Sequence, residues 1–214
     1  MKSKIKKYTK DIIQSACRCL ENGESIIIPT DTVYGIAANA TNEAAVNNIF
    51  KIKKRPRSMP LIIFVRSISE AEKIAEFSIL DRFLAYQFWP GPVTLILKKK
   101  KYKIYNGDKR LSKIGIRIPR NEVVSEILKK IKKPLATTSA NLHKEKNIKE
   151  ISKLNILLDD KIPLGIYSKE KMSFEESTLI QTSSKKVEIL RKGQIKINEI
   201  KKLLKKNGFT QKLS

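Results

Sequence analysis

The chain has 214 residues, 41% of them hydrophobic, and a formal net charge of +24. That length suits one domain with a substantial core and leaves little room for a second full one. No apolar run approaches the roughly 20 residues that span a bilayer, and residues 1–10 are too lysine-rich for a signal peptide, so the expectation is a soluble, cytoplasmic protein without membrane contact.

Of the 45 basic residues 36 are lysine and 9 arginine, and isoleucine and lysine together fill 67 positions. An AT-rich genome produces that bias by itself, so the charge reads either as solvated surface or as a selected basic face, and it informs association more than fold. From the N-terminus, apolar positions at helical spacing from Ile12 to Leu20 predict a helix that stops at Asn22-Gly23. Cys17 and Cys19 sit two apart on it with diverging side chains and read as reduced thiols. Ser25 to Ile28, cut off by Pro29, reads as a buried strand. Thr41 is the expected cap of a helix running to about Lys53, Leu61 to Val65 a strand, and Ser69 the cap of another helix. Trp89-Pro90-Gly91-Pro92 leads into a strand from Val93 to Leu97, after which the lysine-rich stretch from Lys98 to Lys113 reads as a flexible loop or hairpin. Ile114 to Ile118 and Leu135 to Thr138 are predicted strands, separated by a helix from about Asn121 to Ile131. Further strands are expected at Ile156 to Leu158, Thr178 to Gln181 and Val187 to Leu190. From Asn198 to Ser214 the pattern gives a short amphipathic helix followed by a disordered end. The alternation of strands and helices indicates an α/β fold, and the closely spaced late strands a mixed sheet.

Three segments carry the chemistry. Pro-Thr-Asp-Thr-Val-Tyr-Gly at 29–35 projects Thr30, Asp31, Thr32 and Tyr34 from a strand end, the place where α/β sheets bind ligands. Lys-Ile-Lys-Lys-Arg-Pro at 51–56 sets Lys53 and Arg55 at a corner, because Pro56 forces Arg55 out of helix; such a corner could clamp a polyphosphate. Thr-Thr-Ser-Ala-Asn at 137–141 ends another strand with hydroxyls. Each segment also has a plain alternative: local turns whose hydroxyls satisfy the backbone for the first and third, a solvated helix C-terminus favoured by the helix dipole for the second. Arg117, flanked by Ile116 and Ile118, either points to solvent or meets an anionic group, since an unpaired buried guanidinium is costly. Five of the nine arginines, Arg55, Arg57, Arg117, Arg120 and Arg191, lie in or beside such segments, and a guanidinium offers phosphate or carboxylate a rigid fork that an ammonium cannot copy. His143, the only histidine, reads as a surface residue. There is no Gly-rich Walker loop, no Gly-x-Gly-x-x-Gly, no Gly-x-Ser-x-Gly elbow and no His-Glu-x-x-His, and no metal ligands are expected from the protein. A nucleotide site here would use side-chain cations and hydroxyls.

Taken together, these segments resemble a known family. With Pro60-Leu61-Ile62, Phe88 to Leu95, Ile116-Arg117-Ile118-Pro119, Thr138-Ser139-Ala140-Asn141-Leu142, Ser177-Thr178 and Leu190-Arg191-Lys192-Gly193, the chain is similar in order and spacing to the YrdC-like threonylcarbamoyl-adenylate synthases from about Thr9 to Ile195. The resemblance implies a short, single-domain member: a YrdC-like domain over 9–195 with a basic C-terminal tail at 196–214. Its fold would be α/β, with a twisted, mixed, largely parallel sheet and flanking helices around a basic cavity. It further implies condensation of L-threonine, bicarbonate and ATP to threonylcarbamoyl-adenylate and pyrophosphate, with Mg2+ accompanying ATP, for tRNA modification next to the anticodon. On this chain Lys53 and Arg55 would hold the ATP phosphates and act as the catalytic cations. Ser139, Asn141 and Arg191 would also contact the nucleotide. Thr32, Arg117, Thr137 and Ser177 would grip threonine, with Arg117 on the carboxylate. Met59, Phe64, Lys113, Gln181 and His143 depart from residues common in the family at positions near the substrates. Weak binding of tRNA and hand-over to downstream threonylcarbamoyl-transferase proteins belong to the same expectation. A second reading is an RNA-binding protein of the same fold without adenylation activity. A carbamoylating relative of hydrogenase maturation is a third, less compatible with so short a chain.

Overall fold

A computed structural model describes residues 4–141 and 162–213; the strand expected at Ile156 to Leu158, and His143, lie outside the described residues. The first half of the chain runs β1 (Ile5–Lys7), α1 (Lys10–Glu21), β2 (Ile26–Ile28), β3 (Gly35–Asn39), α2 (Glu43–Lys53), β4 (Ile62–Phe64), α3 (Ile68–Ile74), β5 (Ala75–Glu76), α4 (Ile79–Phe88) and β6 (Val93–Lys99). There follow β7 (Lys113–Arg117), α5 (Glu122–Ile131), β8 (Leu135–Ser139), β9 (Leu164–Tyr167), β10 (Thr178–Thr182), β11 (Lys186–Arg191), α6 (Ile197–Lys206) and β12 (Lys212–Leu213).

Local chemistry sets the helix starts. The Thr9 side chain accepts from the Ile12 N–H at the head of α1, and the helix ends at Asn22 before Gly23, whose φ of +82° only glycine adopts without strain. Two expected caps move. Asn42, not Thr41, caps α2 by accepting from Ala45 N, because the Thr41 hydroxyl is drawn back to Asn39 Oδ1 at 2.8 Å. Ser67, not Ser69, caps α3 by accepting from Glu70 N, while the Ser69 hydroxyl bonds to Ser67. Helix α4 has a start of its own, a reciprocal capping box between Ser78 and Asp81.

The strands form one mixed sheet in the order β1-β9-β2-β3-β8-β4-β7-β6-β10-β11-β12, with β5 hydrogen-bonded to β6. The pairs β1–β9, β9–β2, β4–β7, β6–β10 and β11–β12 are parallel and the others antiparallel. Alternation of side chains divides the core in two. One face carries Ile36, Ala136, Ile63, Ile116, Leu95 and Ile180 against apolar residues of α2, α3, α4 and α6. The opposite face carries Ala37, Leu135 and Phe64 against α1 and α5. On the remainder of that face Arg117 of β7 and Thr137 and Ser139 of β8 emerge.

Strands β1, β3 and β9 were not legible. Gly-Ile-Ala-Ala-Asn in β3 has little β-propensity and is held by pairing on both sides, with β2 and β8. The Lys98–Lys113 stretch takes the hairpin form: β6 extends to Lys99, β7 starts at Lys113, and the connection returns to the core through buried Ile104 and Asn106, whose carbonyl accepts from Leu61 N at 2.6 Å. The expected disordered end is corrected by β12, which pairs with β11. The tail is also not separate from the domain, since Ile200 and Leu204 of α6 are buried in the main core and Phe209 contacts Phe83 at 4.7 Å between ring centroids. Leu204→Ala is therefore expected to lower the unfolding free energy by about 2–4 kcal/mol, and Lys205→Ala by less than about 0.5 kcal/mol, in urea unfolding.

Candidate active site

Strand register brings the three segments to one place. Gly35 pairs with Ser139, Thr137 with Ile62, and Phe64 with Arg117. Leu95 opposite Ile116 sets Thr94 beside Arg117, and Val93 lies next to Thr178. Between these strand ends is a cavity lined by Thr30, Thr32, Tyr34, Arg55, Pro60, Ile62, Phe64, Arg117, Thr137, Ser139, Glu176, Ser177 and Arg191 among others.

In the 29–35 segment the two readings of the hydroxyls divide between residues. Thr30 Oγ1 donates to Val33 O at 2.7 Å and accepts from the N–H groups of Thr32 and Val33, a local turn. Since its one proton is used on Val33, the 3.0 Å contact between Thr30 and Thr32 has Thr32 donating. Thr32 Oγ1 then accepts from Arg117 Nη1 at 3.0 Å, which turns Thr32 toward the cavity. Backbone bonds from Ser173 N to Asp31 O and from Phe174 N to Thr32 O hold the segment from above. Phe174 adopts φ +58°, a left-handed conformation that a bulky side chain tolerates only under such constraint.

Arg117 takes the second of its two expected forms and meets an anion. It is 3% exposed, and its guanidinium donates to Gly91 O at 2.9 Å through Nε and to Asp31 Oδ1 at 2.5 Å through Nη2, with the Phe64 ring centroid 5.7 Å away. Burial pulls its pKa below that of a free arginine, while Asp31 acts in the opposite sense.

Lys53 and Arg55 flank a fixed corner. Lys54 ends α2 in the left-handed region at φ 49°, Arg55 Nε donates to Met59 O at 2.8 Å, and Arg55 Nη2 reaches Pro60 O at 3.4 Å, so the guanidinium is braced by its own loop. Arg55 lines the cavity. Lys53, 2% exposed, lies behind the wall: its ammonium donates to Ser139 O, to Asn141 Oδ1 at 3.0 Å and to Ser139 Oγ at 3.4 Å. Ser139 Oγ in turn donates to Asn141 Oδ1 at 2.6 Å. Burial, then repulsion from Arg55, lowers the Lys53 pKa to about 8 against the attraction of Glu176.

At the far wall, Arg191 donates twice to Ser177 O and once to Ser177 Oγ, and pairs with Glu176 at 3.0 Å. Ser177 Oγ also bonds Thr94 Oγ1 at 2.8 Å. A Cβ on Gly193 would stand 2.3 Å from Glu176 O and 2.6 Å from Thr178 N, so only glycine lets the Leu-Arg-Lys-Gly end press onto the 176–178 backbone. Thr137 donates to Ile62 O at 3.0 Å and presents its lone pairs to the cavity. Thus Thr32, Arg55, Arg117, Thr137, Ser139, Ser177 and Arg191 line one cavity, while Lys53 and Asn141 stand just behind Ser139. Sequence reasoning missed Glu176, whose only signal was an acidic residue beside Ser177 in a basic chain, and left Asp31 without a role. Lys113 is exposed, its ammonium 2.8 Å from Gln181 Oε1, and neither lines the cavity.

Fold and site define an α/β domain with a cavity at its strand ends lined by hydroxyls and guanidiniums. The chain belongs to the Sua5/YciO/YrdC family, whose model, described as "Telomere recombination", matches residues 18–193. It is 32% identical over 195 residues to the threonylcarbamoyl-AMP synthase of Pyrococcus abyssi, covering 90% of this chain and 57% of that protein. It is 34% identical to a putative threonylcarbamoyl-AMP synthase of Methanocaldococcus jannaschii, covering 89% of this chain and 90% of that one. The structure of P. abyssi Sua5 complexed with L-threonine superposes with a TM-score of 0.87 at 29% identity, over 98% of this chain and 61% of that one. E. coli YciO shares the fold with a TM-score of 0.81 at 21% identity, over 91% of this chain and 97% of that one. The chain thus spans a little over half of the longer relatives it matches and nearly all of the shorter ones.

The buried lysine gives a signed pH dependence. Lys53 releases its proton near pH 8 in the folded protein, whereas an unfolded lysine does so near about 10.4. The unfolded chain therefore binds more protons between those values, and the Lys53 contribution to stability rises with pH across that window. Thermal melts of the wild type relative to Lys53→Met, which lacks the titration, are expected to diverge in favour of the wild type from about pH 8 to about pH 10.

Proposed function

We propose that the chain is an L-threonylcarbamoyladenylate synthase, which condenses L-threonine, bicarbonate and ATP to threonylcarbamoyl-adenylate, pyrophosphate and water. The observation that carries this reading is the gathering of four hydroxyls, of Thr32, Thr137, Ser139 and Ser177, and three guanidiniums, of Arg55, Arg117 and Arg191, on one cavity in a chain related to proteins of that name. The threonine complex of P. abyssi Sua5 supports the amino-acid half of it.

Threonine amine and bicarbonate form a carbamate with loss of water; a carbamate oxygen attacks the α-phosphorus and pyrophosphate leaves. No covalent enzyme intermediate is needed, so the task is to align two anions and to neutralise charge that builds on the leaving group. Arg117, Thr32, Thr137 and Ser177 hold threonine, with the fork of Arg117 on the carboxylate. Arg55, Arg191, Ser139 and Asn141 hold the nucleotide, and Lys53 reaches its phosphates by giving up bonds to the 139–141 turn. Magnesium would accompany the nucleotide as its counter-ion, held by phosphate oxygens and water. The cations at 53, 55 and 117 offset the repulsion between carbamate and triphosphate. The product feeds threonylcarbamoyladenosine formation in tRNA through a downstream threonylcarbamoyl-transferase.

Purified protein with Mg-ATP is expected to release pyrophosphate only when threonine and bicarbonate are both present; equal release without either overturns the reading. The lysine-rich hairpin lies outside the cavity, with Lys98 on Glu76, Lys99 on Ile104 O and Lys100 on Glu72 O. Replacing Lys98, Lys99, Lys100 and Lys101 together with Gln is expected to leave kcat/KM for threonine within about twofold, since charges this far away act only through a screened field.

A further inference from the structure

We propose that Asp31 is a positioning residue of the amino-acid subsite: its carboxylate fixes the Arg117 guanidinium so that two free N–H groups, one on each Nη, face the cavity. The ligand in this proposal rests on the synthase reading; the geometry does not. A guanidinium has five N–H donors in a rigid fork. Three are engaged, by Gly91 O, Thr32 Oγ1 and Asp31 Oδ1, and the Asp31 contact is the shortest of them at 2.5 Å. One N–H on each Nη has no partner among the described residues, on a group that lines the cavity, and two such donors on one planar group can take a carboxylate in bidentate form.

Asp31 also stands on a partition. Arg117 borders the main cavity, whereas Asp31 borders a second one lined by Arg120, Lys171 and Gln194 among others. Asp31 engages Arg117 through Oδ1 alone; Oδ2 is buried without a hydrogen-bond partner among the described residues. The backbone bond from Ser173 N to Asp31 O holds the residue at this boundary. Without its side chain the guanidinium keeps Gly91 O and Thr32 Oγ1 but loses the anchor of its Nη2 end, so the orientation of the fork is less tightly held although the charge remains.

The opposite expectation is distinct. If Asp31 only competed with substrate for the positive charge, its removal would tighten carboxylate binding. The test compares wild type, Asp31→Ala and the near-isosteric Asp31→Asn, which keeps an acceptor where Oδ1 lies. Calorimetric titration with L-threonine alone is expected to show affinity reduced about tenfold in Asp31→Ala and about threefold in Asp31→Asn, as loss and partial retention of one charge-assisted contact imply. KM for ATP should stay within about twofold, since a global disturbance would raise both constants. Arg117→Ala should make Asp31→Ala silent, because the two act as one unit. Equal or tighter threonine binding by Asp31→Ala, or a parallel rise in KM for ATP, overturns the proposal. Nitrogen NMR of the Arg117 side chain supplies a readout free of ligand. Hindered rotation gives separate Nη signals in the wild type and averaged signals in Asp31→Ala; separate signals in the variant overturn the proposal. If the wild type binds no threonine while these signals behave as expected, the synthase reading falls and the positioning role stands.

Discussion

The site depends on the antiparallel pairing of β8 with both β3 and β4. A strand flanked on both sides has its register fixed twice, and here that register sets Ser139 against Gly35 and Thr137 against Ile62. A slip of one residue would turn Thr137 and Ser139 away from the cavity and bring Ala136 and Thr138 toward it. The same pairing carries the 29–35 turn to the 137–141 turn without any side chain having to reach far. Because α1 and α5 cover only part of that face, the exposed remainder is polar, rigid and concave.

On this frame the cations are already engaged. Arg117 is bonded to Asp31, Thr32 and Gly91, Lys53 to Ser139 and Asn141, Arg191 to Glu176 and Ser177, and Arg55 to its own loop. A buried charge left alone would be costly, so the chain supplies acceptors of its own. Binding an anion here is then an exchange of partners or the use of N–H groups left over, with little side-chain ordering still to be done. Lys53 is the extreme case, since all three of its donors end on the turn it would have to release.

The sequence made the meeting of the three motifs legible because two of them sat at predicted strand ends and the third at the corner that closes a helix. It also posed Arg117 correctly as a group that needed solvent or an anion. It could not name Asp31, 86 residues away, since the contact exists only once β7 lies within reach of the 29–35 turn. The inward turn of Lys53 was equally hidden, because a lysine in the last helical turn ordinarily points to water. Strand β3 escaped notice because its small residues carry no propensity and its stability comes from two neighbours. At the C-terminus the lysines of α6 read as a solvated tail, while Ile200 and Leu204 on the same helix complete the core.

Among the described residues the strand order ends on β1 at one side and β12 at the other. An open edge offers unpaired N–H and C=O groups to any other chain, and long, flat, apolar edges template aggregation. Both edges here are short: β1 has three residues, two of them lysine, and β12 has two, one of them lysine. A single passing strand would find few hydrogen bonds and a lysine at each. Part of the lysine surplus thus lies on edge strands, where a charged side chain disfavours pairing with another sheet.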